Sequence, residues 1–324
     1  MPVVHTRRES VKAAERAETC GASIAILGTA SHWNAEAILL AAKKLCGKYG
    51  IESVPVTVSM TFNYRYMAQA QRITYSGDPK LGFQSIMEHL HLLCGSPGSP
   101  YHHIQVLPHL DHADPEFDMW ALTEGIRYLS SVMFDAQRYT REKNMELTRE
   151  YVKNHHADTM VEGIMEELVV ADVHGRSSRD DDDYPVRARE YVDATGVDYL
   201  VADLGTEQQA ATCGNAVYLK KRAEEITAAL GRKMLVLHGA SSLTNEQMKG
   251  LAADGVVRVN MWTKIAREAG RNAARNLFER ICAGPSGNFE TFDSRQYLYD
   301  NIEYASNMML EILETLNYAN FAKG

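Results

Sequence analysis

Several apolar stretches of this chain end in side chains of the kinds that bind metals and move protons. In chain order these ends carry Asp111 with His112, Asp135, Glu162, Glu207 with Gln208, His238, and Asn260. A single imidazole or carboxylate in such a place is commonly a satisfied buried group. Six strand ends converging on one mouth are harder to dismiss. Two imidazoles among several carboxylates provide ligands for a divalent metal and a general base beside it.

Such a mouth needs elements that aim it. Short runs rich in Val, Ile and Leu predict strands at Ser23–Gly28, Val54–Met60, Ile104–Asp111, Ser130–Ala136, Thr159–Met165, Tyr199–Gly205, Met234–Gly239 and Val256–Met261. Segments of helical period fall between them, predicting helices at Asn34–Lys48, Pro115–Arg127, Arg141–His156, Tyr218–Leu230 and Thr244–Ala253. Alternation of this kind argues for a parallel sheet with crossover helices. Eight repeats of it favour a closed (β/α)₈ (TIM) barrel, whose working side chains project from the C-terminal strand ends. No linker divides the chain, so residues 1–324 read as one α/β domain. Apolar residues at helical spacing (Leu298, Ile302, Ala305, Met309, Ile312, Leu316) make 295–322 a terminal helical extension, packed on the barrel or on a second subunit.

Composition narrows the partners. The 324 residues are 45% hydrophobic and 23% charged, the balance of an ordinary soluble enzyme with a sizeable core. The net charge of −8, with acids and bases interspersed, argues against nucleic acid or anionic lipid as a partner. Any anionic substrate must be met by local donors. Five scattered cysteines without a C-x-x-C pair argue against a disulfide framework. The absence of an apolar signal segment or an 18-residue apolar run points to a cytoplasmic protein.

The motifs form an ordered set. HLDH (His109–His112) leads through a helix-like segment to SVMFD (Ser131–Asp135) and on to REKN, ending at Asn144. Val161–Glu162, LGT at Leu204–Thr206, VLHGAS at Val236–Ser241 and GVVRVNMWT at Gly255–Thr263 follow. In this order the set resembles the class II, metal-dependent ketose-bisphosphate aldolases over roughly residues 105–275, with SHWNAEAILLAA (Ser31–Ala42) similar to their first helix. The resemblance implies a C–C lyase acting on a phosphorylated ketose. Its enediolate would be stabilised by a divalent metal, zinc first and cobalt or manganese as alternatives. Asp111 matches the proton-transfer carboxylate, and His112 and His238 match metal ligands. Asp135 and Glu162 match acidic positions at a second metal position. Gly239, Ser241, Asn260 and Thr263 match phosphate and dihydroxyacetone-end contacts, the Gly-Ala-Ser turn being expected to open a helix that holds the phosphate. The resemblance also implies a homodimer or homotetramer.

The departures are specific. Where the family reads G-T-x-H-G, this chain reads GTEQQ, so Gln208 stands at the third ligand position and Gln209 at a glycine near the phosphate. A neutral amide oxygen suits zinc less well than imidazole does. Ile164 replaces a glutamate, DAQ (Asp135–Gln137) replaces D-G-S, and HGASS ends in Ser242 where a glycine is usual. Two other readings therefore stay open: an epimerase, isomerase or sugar-acid-directed lyase on the same scaffold, and a metal-free phosphosugar-binding homologue. Asp180–Asp183 reads as a solvated loop, Cys213 as an inert thiol, Trp33 and Trp262 as packed residues, and Arg258 and Arg267 as surface ion-pair partners.

Overall fold

In a computed structural model of the chain, residues 3–168, 183–208, 210, 216–283 and 294–323 are described. Eight parallel strands close on themselves in sequence order. They are β1 Ile24–Gly28, β2 Pro55–Thr61, β3 Gln105–Ala113, β4 Ser131–Phe134, β5 Met160–Ile164, β6 Tyr199–Val201, β7 Leu235–Leu237 and β8 Val256–Met261. Closure lies in the β1–β8 register, where Ile24, Ala25, Ile26 and Leu27 sit opposite Arg258, Val259, Asn260 and Met261. All eight expected strands are present. The sixth and seventh are cut to three residues each, because Asp203–Gly205 and the residues after Leu237 turn away to build the mouth. Strand residues are buried almost throughout, since one face meets the barrel interior and the other the helix ring.

Helices α1 Arg7–Thr19, α2 His32–Tyr49, α3 Pro79–Gly95, α4 Met119–Leu122, α5 Arg141–His155, α6 Tyr184–Thr195, α7 Lys220–Leu230 and α8 Thr263–Ala283 surround the barrel. The start of α2 is set by Ser31, whose Oγ accepts from the Asn34 amide, and its end by Gly50 in the left-handed conformation. Between these caps Ala35, Ile38, Leu39, Ala42 and Leu45 form a fully buried stripe. Burying each of the three larger ones is worth about 1.5–3 kcal/mol.

Two expected helices do not form. Of Pro115–Arg127 only the single turn α4 and a 3₁₀ turn at Gly125–Tyr128 are helical. Asp118 accepts the Asp114 amide and Asp114 accepts the amides of Glu116 and Phe117, so side chains satisfy donors that a helix would have used. Of Thr244–Ala253 only a 3₁₀ turn at Glu246–Met248 is helical. Thr244 and Gln247 cap each other's amides there, but Lys249 is extended and Gly250 has φ 84°, which stops propagation.

The terminal extension is α9 Ser294–Thr315, followed after Asn317 (φ 68°) by 3₁₀ turns at Tyr318–Lys323. It packs on α2 and α8 of the same chain, burying Ala305, Met309, Ile312, Leu313 and Leu316. Beyond it the buried Tyr318 hydroxyl accepts from the Ala25 amide at 3.0 Å and donates to the Pro55 carbonyl at 2.9 Å. One side chain thus ties β1 to β2 from below.

Candidate active site

At the C-terminal strand ends, β3 supplies two neighbouring residues to one pocket. Regular alternation would send Asp111 and His112 to opposite faces. His112 instead has φ 48°, and the β3–β4 register breaks between Leu110 and Ala113. The bulge turns both side chains into the mouth, where both are buried. A left-handed histidine costs about 1–3 kcal/mol of strain, kept because the surrounding barrel over-determines it.

Asp111, His112 and His238 each place one ligand atom within 4.8 Å of the others, the one such cluster of three among the described residues. The Asn260 amide donates to Asp111 Oδ2 at 2.9 Å, while Asp111 Oδ1 is buried with no partner. His238 Nε2 is likewise buried and unpartnered. Asp135 Oδ2 lies 2.7 Å from His112 Nδ1, which fixes that ring and leaves Nε2 for the pocket. Orphaned acceptors facing one another across a few ångströms fit a cation held between them. The donor set, two imidazoles and a carboxylate, is one that zinc accepts.

The electrostatics agree with this geometry. Burial alone would raise the Asp111 carboxyl, but the imidazoles of His112, His238 and His109 and the Asn260 amide hold it below the usual range. His238 is pushed down to about 4, chiefly by burial, so it is neutral and ligand-ready at neutral pH. Burial opposes charge on His112 as well, yet Asp111 and Asp135 carry it upward.

Gln208 sits beside the cluster with its Nε2 3.5 Å from His112 Nε2, while its Oε1 accepts from the Tyr64 hydroxyl at 2.9 Å. Turned over, the amide would present its oxygen to the cluster and surrender Tyr64's acceptor. Tyr64 also stacks on the His112 ring, with centroids 4.1 Å apart and planes within 7°. This tyrosine escaped the sequence reading, as did Thr61, Met67 and Gln69 of the same rim. They follow the second strand in a stretch with no motif.

Gly239, Ser241, Asn260, Thr263 and Trp262 line the pocket together with the cluster. Gly239 has φ 68°, and a Cβ there would come within 2.8 Å of the Glu207 backbone. Only glycine lets the turns after β6 and β7 close together, a junction that Thr206 Oγ1 secures by donating to the His238 carbonyl at 2.6 Å. The Gly-Ala-Ser turn does not open a long helix as expected. It forms a 3₁₀ turn at Ala240–Ser242, and the long helix beginning at the pocket is α8, whose first residue is Thr263.

Glu162 lies outside the cluster. It is fully buried one layer deeper, 2.8 Å from Arg258 Nη1 and 3.7 Å from His109 Nε2. Burial pushes its carboxyl up to about 7 against the pull of Arg258. Arg258 is therefore not on the surface as expected, because its place on β8 points it into the barrel. Asp135 supports His112 from the side. Trp33, expected to pack, is 42% exposed. Gln209, Cys213 and Asp180–Asp182 lie outside the described residues.

A closed eight-stranded barrel with a carboxylate–imidazole cluster at its C-terminal mouth defines a class of barrel enzymes suited to metal-assisted chemistry. Residues 10–320 match the family described as Fructose-bisphosphate aldolase class-II. A fructose-bisphosphate aldolase of Streptococcus pyogenes serotype M3 is 28% identical over 225 residues, 68% of this chain and 74% of the relative. One from Streptococcus pneumoniae serotype 4 is 27% identical over 206 residues, 62% of this chain and 67% of the relative. Among solved structures, fructose-bisphosphate aldolase from Campylobacter jejuni superposes with a TM-score of 0.75 at 19% identity, covering 97% of this chain and 95% of that one. The YdjI aldolase from Escherichia coli K12 gives 0.64 at 19% identity, with 97% of each chain covered. The chain belongs to the class II fructose-bisphosphate aldolase family, and it is a lyase.

Proposed function

We propose that this protein makes and breaks a C–C bond in a phosphorylated ketose, with Asp111 as acid/base and His112 and His238 as metal ligands. The observation that carries the reading is the buried, unpartnered Oδ1 of Asp111 facing the equally unpartnered Nε2 of His238 in one pocket. Zinc suits these donors, with cobalt or manganese as alternatives. When bound, such a metal supplies a Lewis acid for the ketose carbonyl. Asn260 fixes one oxygen of Asp111, so the other takes the proton of the hydroxyl whose deprotonation breaks the C–C bond. Asp135 holds His112 in the tautomer that keeps Nε2 free. The turn at Gly239 and Ser241 and the start of α8 at Thr263 receive the phosphate, where helix-terminal amides favour an anion. Gln208 is the third ligand after its amide turns over.

The exposed apolar residues Phe278, Ile281 and Tyr299 on α8 and α9 support a homodimer or homotetramer. No helix of the described residues is long and apolar enough to cross a membrane, which is compatible with a cytoplasmic place.

Elemental analysis after mild purification should find about one divalent metal per chain, lost in His112→Ala. In heavy water the protein should exchange a C3 proton of dihydroxyacetone phosphate without any aldehyde. Sugar phosphate bound without exchange, and no metal taken up when zinc, cobalt or manganese is offered, would favour the phosphosugar-binding reading instead.

A further inference from the structure

A second chamber of about 460 Å³ opens beside the metal-ligand pocket and shares Tyr64 and His112 with it. Its place lets one extended substrate run past His112 from the first pocket into the second. If the first holds the phosphorylated three-carbon half, as proposed above, the second receives the aldehyde half. Its chemistry should then show what that aldehyde carries.

Two guanidinium groups line the chamber, and both are already engaged. Arg65 Nη2 lies 2.5 Å from Glu167 Oε1. Arg138 Nε lies 2.7 Å from Asp114 Oδ2, and Arg138 also pairs with Glu116. Against these two cations the described lining sets three carboxylates, Asp114, Asp135 and Glu167. Among the described residues, a phosphate dianion entering here meets no guanidinium free of a carboxylate.

The donors are similarly committed. The Asn63 amide goes to Asp118 and the Phe117 carbonyl, while the Tyr64 hydroxyl goes to Gln208 and is released only when that amide turns to the metal. Gln137 Nε2 donates to Asp135 at 3.0 Å, whereas Gln137 Oε1 is buried with no partner. An orphaned buried acceptor asks for a donor from the ligand. Hydroxyl groups bring donors, and phosphate dianions bring acceptors alone.

We infer that the second chamber accepts an unphosphorylated polyhydroxy aldehyde, with Gln137 Oε1 receiving one of its hydroxyl hydrogens, so that the substrate carries a single phosphate. This deepens the aldolase reading and rests on it. Gln137 is the specificity-determining residue, and it stands where the family resemblance places a serine.

The experiment has two stages. Deuterium exchange into dihydroxyacetone phosphate without aldehyde first tests the aldolase reading by itself. Aldol addition is then measured with glyceraldehyde, erythrose, their terminally phosphorylated counterparts, and propionaldehyde. The expected result is kcat/KM for each unphosphorylated sugar about tenfold or more above its phosphorylated counterpart, because the dianion would be set against Asp114, Asp135 and Glu167. In Gln137→Leu the preference for erythrose over propionaldehyde should fall about tenfold. Exchange with equal or greater activity on the phosphorylated aldehydes overturns this inference and leaves the aldolase standing. Absence of exchange fails the aldolase reading and takes this inference with it.

Discussion

Two polar clusters are stacked inside the same barrel, and they behave differently. The upper one holds Asp111, His112, His238 and Asn260, and the lower one holds His109, Ser131, Glu162 and Arg258. His109 and Asp111 are two residues apart on β3, as are Arg258 and Asn260 on β8. The layers are therefore separated by about 6–7 Å of strand rise. Both contain imidazole and carboxylate, and both are buried. In the lower layer charge meets charge, with Arg258 against Glu162 and both Arg258 Nη2 and His109 Nδ1 on the Ser131 hydroxyl, and the unpartnered Glu162 Oε2 and His109 Nε2 line neither pocket. In the upper layer the free atoms of Asp111 and His238 face a pocket. Residue type alone does not make a site; an unspent lone pair beside an opening does.

That contrast can be broken most sharply at Asp111. Asp111→Ala should lower turnover by about 10²–10⁴-fold while circular dichroism and melting stay near wild type, since its carboxylate acts on substrate. Full activity in the variant would sink the assignment. In the lower layer the reverse is expected. Arg258→Met leaves Glu162 buried and unpaired, costing about 3–5 kcal/mol in urea unfolding. The double variant Arg258→Met/Glu162→Gln should recover part of that loss, and additive losses would show that the pair is not coupled.

Smaller effects sharpen the upper layer. Gln208→His replaces an amide engaged with Tyr64 by an imidazole, so chelator competition should show zinc held about tenfold more tightly or better. Unchanged affinity would mean that position 208 lies outside the coordination sphere. The smallest effect is on pH dependence. His238, held at about 4 against an ordinary 6.5 chiefly by burial, is neutral in the fold where the unfolded chain is protonated. Between these values the unfolded state binds more protons, so His238 contributes stability above about 6.5 that is lost as pH falls toward about 4. Melting of the chelated protein should therefore drop more steeply from pH 7 to pH 5 in wild type than in His238→Asn, by a few degrees. Equal slopes would show that His238 does not carry the dependence.

Much of this was legible in the sequence because apolar runs of β-branched residues mark buried parallel strands. All eight were visible that way, as were Asp111, His112 and His238 at their ends. What stayed hidden depended on local competition and on through-space contact. The failed helix at Pro115–Arg127 turns on two aspartates choosing backbone amides over solvent. The inward aim of both Asp111 and His112 requires a bulge that no residue type announces. Tyr64 reaches Gln208 across 144 residues of chain, and nothing in NYRY marks it as a neighbour of His112. Glu162 was read by its motif position, but the depth of its layer decides its partner, and depth is a property of barrel register.

The hydroxyl of Tyr318 has a consequence for the order of events at the ribosome. It grips Ala25 and Pro55 from 293 and 263 residues downstream, so the first two strands wait for nearly the whole chain to emerge before that clasp can form. The β1–β8 seam must wait almost as long. The barrel of this protein therefore cannot close on the ribosome until its eighth strand has been made.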